Sequence, residues 1–175
     1  KDLAPDAFPR AMISEFLIYY GYPTTGSGYG AYAIPYADGN FEAVREMARA
    51  SIDRIEKMKP PDAKQALDRD RLLDMGYRAQ ADALVRLGNP SAAEASIGRA
   101  LEISKDFPKR TLSEERDAAL RSAQAAMIAA RLGKHAKAQQ MIGPPLEFQR
   151  KLHLRGRGND DQTQRVEYAL TLYAS

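Results

Sequence analysis

Two stretches of this chain place a glycine at the same distance between two runs of small and apolar residues. Ala81 lies seven residues before Gly88, and Ala93 lies five after it. Ala126 lies seven residues before Gly133, and Ala138 lies five after it. Outside these, Tyr77, Leu84 and Leu87 of the first copy answer to Ser122, Ala129 and Leu132 of the second, and Ile97 answers to Ile142. A half-copy sits earlier, with Gly39 followed by Val44, Ala48 and Ser51. A helical hairpin explains the pattern. Small residues let two antiparallel helices approach closely, the glycine turns the chain, and larger side chains fill the space around the contact. One hairpin cannot cover its own apolar face, so hairpins stack.

The punctuation agrees with helices throughout. Phe41, Val44, Ala48, Ile52 and Ile55 recur at helical spacing over residues 40–58. Pro60-Pro61 stops that helix, and Asp62 is placed to cap the next, which runs to Leu87 with Ala66, Leu67, Leu73, Tyr77, Ala81 and Leu84 on its core face. In Gly88-Asn89-Pro90, glycine suits the left-handed residue that closes a helix, asparagine the N-cap and proline the first helical position. A helix over residues 91–106 follows, with Ala93, Ile97, Ala100, Leu101 and Ile103 facing inward. Thr111 and Glu114 have the spacing of a capping box for a helix that ends at Leu132. The rules for proline then predict a short helix from Ala136 to Ile142, stopped by Gly143-Pro144-Pro145, and a separate short helix over residues 146–154. Residues 11–20 and 162–175 read as further helices, and the Gly-, Tyr- and Pro-rich residues 21–39 as a long loop. No strand pattern competes, so the expected fold is all-α, with roughly seven or eight helices.

The stretch from Asp74 to Lys105 resembles the tetratricopeptide repeat (TPR) family. Leu87-Gly88-Asn89-Pro90, Ala92-Ala93-Glu94-Ala95 and Arg99-Ala100-Leu101-Glu102 stand where that family carries its G-x-x-x-x-A and A-L-E signature. Residues 119–142 are a weaker match, with Pro145 where the closing small residue belongs. The glycines are spaced 49 and 45 residues apart, against the usual 34 of the family. The extra residues fall in 60–73 and 105–117, where they either lengthen helices or form inserts. The resemblance implies antiparallel hairpins stacked as a short solenoid: residues 1–39 as an N-terminal helix and loop, 40–145 as the repeats, and 146–175 as C-terminal helices. It also implies a concave groove for a protein or peptide partner, lined here by Arg78, Asp82, Arg86, Met127 and Arg131. A plain solvated face is the competing reading of those five.

Other chemistry is thinly represented. The chain of 175 residues has no Cys, which excludes a disulfide scaffold, a zinc–thiolate site, an iron–sulfur cluster and a cysteine nucleophile. Two His leave little for a metal site or for catalysis, and no cofactor or metal is expected. His135 follows the Gly133 turn, where the TPR family often carries an aromatic. Gly26-Ser27-Gly28-Tyr29-Gly30 lacks the preceding strand and following Lys-Ser/Thr of a phosphate loop. Tyr22, Tyr29, Tyr32 and Tyr36 are candidate loop contacts, either packing their own loop or covering a small ligand. Arg150, Lys151, Arg155 and Arg157 are candidate anion contacts beside His153. A net charge of +3 is too weak to argue for nucleic acid.

The expectation is therefore a non-catalytic interaction module, with an accessory or sensor domain holding a small ligand under residues 21–39 as the alternative. The apolar block from Phe16 to Tyr20 is too short to span a bilayer, which takes about 20 residues. The Ala-, Arg- and Asp-rich style suits a bacterial domain, cytoplasmic or periplasmic. Lys1 in place of Met, and a last helix without a stop signal, suggest a piece of a longer protein; a missing neighbour repeat would leave an apolar face open to self-association.

Overall fold

The computed structural model describes Pro35, residues 38–109 and residues 111–154. These form five helices and no strand: α1 (Phe41–Glu56), α2 (Ala63–Arg86), α3 (Pro90–Ser104), α4 (Leu112–Arg131) and α5 (His135–Leu154). The fold of the described residues is all-α. The expected helices over 11–20 and 162–175, and most of the expected loop 21–39, lie outside the described residues. Of that loop, Pro35 is helical and Gly39 lies in a turn.

Local chemistry sets each helix start. The Asn40 side chain accepts from the Ala43 amide, Asp62 from Gln65 and Asn89 from Ala92. Each satisfies one amide that a helix start leaves without a partner. Thr111 and Glu114 complete a reciprocal capping box. Of the extra residues 60–73, α2 takes up 63–73, which lengthens that helix; of 105–117, residues 112–117 begin α4, while 105–109 and Thr111 lie between helices.

The three glycines of the pattern share one turn. Gly39, Gly88 and Gly133 have φ of 72°, 75° and 70°, and no other described residue has a positive φ. Side chains rarely adopt this conformation, which is why glycine stands there. Each turn closes with the same backbone bond five residues back: Asn40 N–H to Pro35 O at 2.7 Å, Asn89 to Leu84 at 2.8 Å, Lys134 to Ala129 at 2.9 Å. Equivalent positions are buried in all three copies: Val44, Ala93 and Ala138, then Ala48, Ile97 and Ile142.

Each helix packs on the next in chain order, and α2 also reaches α4. Turns as short as Leu87–Asn89 force successive helices to run antiparallel. One core cluster joins α1 to α2 through Val44, Ile52, Ile55, Leu72 and Leu73. A second joins α2, α3 and α4 through Leu84, Val85, Ile97 and Ile128. Fully burying such a side chain contributes about 1.5–3 kcal/mol. The alanines between them contribute less area but permit the close approach.

Two expectations need correction. Residues 135–154 form one helix, α5, with Pro144 and Pro145 inside it, so neither the stop at Gly143 nor the boundary after 145 exists. Pro145 is fully buried. It occupies the position that Ser51 and Ala100 fill in the other two hairpins, where both are also fully buried. Proline is compact enough to pack there, and burial outweighs the local preference against helix. Second, α2 buries more than one stripe: Leu72, Asp74, Gly76, Ala79, Ala83 and Val85 are buried beside the expected Leu73, Ala81 and Leu84. It is a central helix with neighbours on several sides.

Candidate interaction face

Along α2, Asp74, Arg78 and Asp82 stand one turn apart; along α4, Asp117, Arg121 and Gln124 do the same. The structure brings the two rows together. Arg121 donates from Nε to Asp74 Oδ1 and from a terminal nitrogen to Asp74 Oδ2, both at 2.6 Å. The pair is almost wholly enclosed, with side-chain exposures of 7% for Arg121 and 4% for Asp74. The Arg121 guanidinium also lies 5.7 Å from the centre of the Phe107 ring. A bidentate fork of this kind is both strong and directional.

Arg78 continues the contact. Its Nε donates to Gln124 Oε1 at 3.4 Å, while Gln124 Nε2 donates to the Arg78 carbonyl at 2.9 Å. A terminal nitrogen of Arg78 is 4.0 Å from Asp74. Nearer the start of both helices, Arg71 pairs with Glu114 at 3.0 Å. Arg78, expected as an anchor for a partner, is thus largely engaged within the fold.

Asp117 differs from its neighbours. It makes no hydrogen bond or ion pair with any described residue, although Arg78 and Arg121 are near enough to act on it. Loss of hydration pushes its carboxyl above the usual range, against the pull of Arg78 and Arg121. Yet its surface is open to water.

The remaining expected groove residues are spread toward the far end of α2 and α4. Asp82 is mostly shielded, with Arg86 Nε 3.9 Å from its Oδ2. Arg86 is exposed and lies 5.6 Å from the centre of the Phe41 ring. Met127 is half-buried against the second core cluster, and Arg131 is exposed. Arg150 is exposed on α5, and Lys151 pairs with Glu147 at 2.8 Å. Tyr22, Tyr29, Tyr32, Tyr36, Arg155 and Arg157 lie outside the described residues. His135 is the exposed first residue of α5.

The sequence reading missed Asp74, Arg121, Gln124 and Asp117. Two helical stripes of complementary polar residues, one embedded in an alanine-rich helix, were the signal that would have found them. Among the described residues no group of three or more His, Cys, Asp or Glu is placed to hold a metal ion. No described helix is long and apolar enough to cross a membrane.

No family model, curated protein or solved structure matches this chain.

Proposed function

We propose that this chain is a non-catalytic interaction module, a TPR-like stack of helical hairpins that binds a protein or peptide partner along the face formed by α2 and α4. The observation that carries the reading is the threefold recurrence of one turn, at Gly39, Gly88 and Gly133, with equivalent small residues buried around each. Recurring hairpins build a continuous surface from the helices that precede each turn. On that surface Asp117, Arg86 and Arg131 are open to solvent, and Met127 is partly so. Charged groups at the edges of such a face steer and orient a partner, while half-buried apolar side chains between them supply contact area.

The test is recovery of a partner from nuclease-treated lysate with the tagged chain, repeated with the double variant Asp117→Lys, Arg131→Glu. Both positions are exposed, so the variant should keep the helical circular dichroism of the parent. The expected result is one protein recovered by the parent and lost by the variant. Recovery of nothing, or equal recovery by a folded variant, would remove the face from consideration.

A further inference from the structure

The cross-links between α2 and α4 run in one order: Arg71 to Glu114, Asp74 to Arg121, Arg78 to Gln124. Rising numbers meet rising numbers, so the two helices lie side by side and point the same way. Each leaves one stripe outside the core. On α4, Asp117, Leu120, Gln124, Met127 and Arg131 recur at helical spacing, and none of them is fully buried. On α2, Asp68, Arg71, Met75, Asp82 and Arg86 do the same.

Both stripes carry charge in the same order. They begin on an acid, Asp68 or Asp117, pass Met75, Leu120 and Met127, and end on an arginine, Arg86 or Arg131. On α2 the fold answers part of this charge itself: Arg71 is 3.8 Å from Asp68, and Arg86 is 3.9 Å from Asp82. On α4, Asp117 and Arg131 are both exposed, 14 residues apart. That is about 21 Å along the helix. The methionines between them are adaptable side chains, suited to the i, i+3, i+4 and i+7 anchors of an amphipathic helix. A helix is most stable with acids in its first turn and bases in its last, because these offset its own dipole. Only a helix pointing the opposite way to α2 and α4 puts such acids over the arginines and such bases over the aspartates. It also sets its dipole against two that lie side by side. We propose, resting on the reading of this face as a binding surface, that its partner is a single amphipathic helix lying antiparallel to α2 and α4, with an acidic first turn over Arg131 and Arg86 and a basic last turn over Asp117 and Asp68.

Phage displaying random peptides of about 20 residues, enough for a helix of that span, would be selected on the immobilised parent chain and, separately, on the variant Asp117→Lys with Arg131→Glu. Peptides from the parent should show apolar residues at helical spacing, with Asp or Glu toward their N-terminus and Lys or Arg toward their C-terminus. Peptides from the variant should show the opposite charge order. Made synthetically, each set should bind the other chain about tenfold more weakly, since two exposed pairs turn from attraction to repulsion. Peptides that need Asp117 and Arg131 but lack helical spacing or this charge order would overturn the antiparallel helix and leave the face as a binding surface. Peptides indifferent to the variant, or no peptides at all, would overturn both. Should the variant lose its helical circular dichroism, the neutral pair Asp117→Asn with Arg131→Gln takes its place. That pair should select helices with no charge order, and retention of the order would overturn the proposal.

Discussion

The hydroxyl of Ser122 on α4 donates to the carbonyl of Met141 on α5, 2.7 Å away. In an unbroken helix that carbonyl would receive the amide of residue 145, but Pro145 has none. Ser122 supplies the missing donor from the neighbouring helix. This bond, together with the burial of Pro145, accounts for how α5 passes through two prolines. Removing the hydroxyl in Ser122→Ala should destabilise the chain by about 1 kcal/mol or somewhat more, because the carbonyl is left without its partner. The same change made in a Pro145→Ala background should cost less, since alanine at that position brings its own amide. Chemical denaturation of the two single variants and the double variant measures this coupling; equal costs in both backgrounds would refute it.

Glycine has opposite value at two kinds of position. Gly88 sits at φ 75° in a turn, with open space around it, so a methyl group meets no clash and only the backbone suffers. Gly88→Ala should cost about 1–2 kcal/mol. Gly98 lies inside α3 and also has open space. Gly98→Ala should stabilise by about 0.5–1 kcal/mol, the difference in helix propensity. Thermal melts of the two variants should therefore move in opposite directions.

Asp117 predicts a pH dependence of definite sign. Its folded-state carboxyl titrates above the usual range because of lost hydration. The folded state then holds its proton more tightly than the unfolded state, so stability falls as pH rises from the ordinary carboxylate value through the raised one. Asp117→Asn should be more stable than the parent at neutral pH, and the advantage should vanish once the medium is acid enough to protonate the group in both states. The gain is small, because the side chain is open to water. Denaturant midpoints of parent and variant from acid to neutral pH test this.

Glu94 predicts the reverse. Lys134 and Lys137 hold its carboxylate at 2.6 and 3.0 Å and lower its pKa, linking α3 to the turn before α5 and to α5 itself. The stabilisation is present above the ordinary carboxylate value and is lost as pH falls through the lowered one. Glu94→Gln should give a small loss at neutral pH that fades in high salt, since these are exposed pairs. Melting curves at low and high ionic strength distinguish this from a packing effect, which salt would leave unchanged.

The parts of the fold legible in the sequence were those set by near neighbours. Asn89 and Thr111 cap helices through amides three residues ahead, and Gly88 and Gly133 turn the chain by their own backbone freedom. Pro144 and Pro145 misled because their local rule is real but was overruled by burial and by a hydroxyl on another helix. The second buried side of α2, with Leu72, Ala79 and Ala83, could not be read from one helical stripe, since it depends on how many helices gather around it. Asp74 and Arg121 are 47 residues apart, and only their meeting in space gives either a purpose. Arg78 was read as an anchor for a partner for the same reason: nothing near it in sequence announces Gln124.

The central place of α2 also orders how the molecule comes apart. Helix α2 packs on α1 and α3 and reaches α4, and none of its residues from Gln65 to Val85 is fully exposed. In a chain of neighbouring units, the outer ones open first and leave the inner ones intact. The amides of α2 around residues 76–85 should be the last to exchange with heavy water, and the turn at Gly133 an early point of entry for a protease. The molecule is built to fray inward toward one helix, so loss of its last hairpin need not mean loss of the rest.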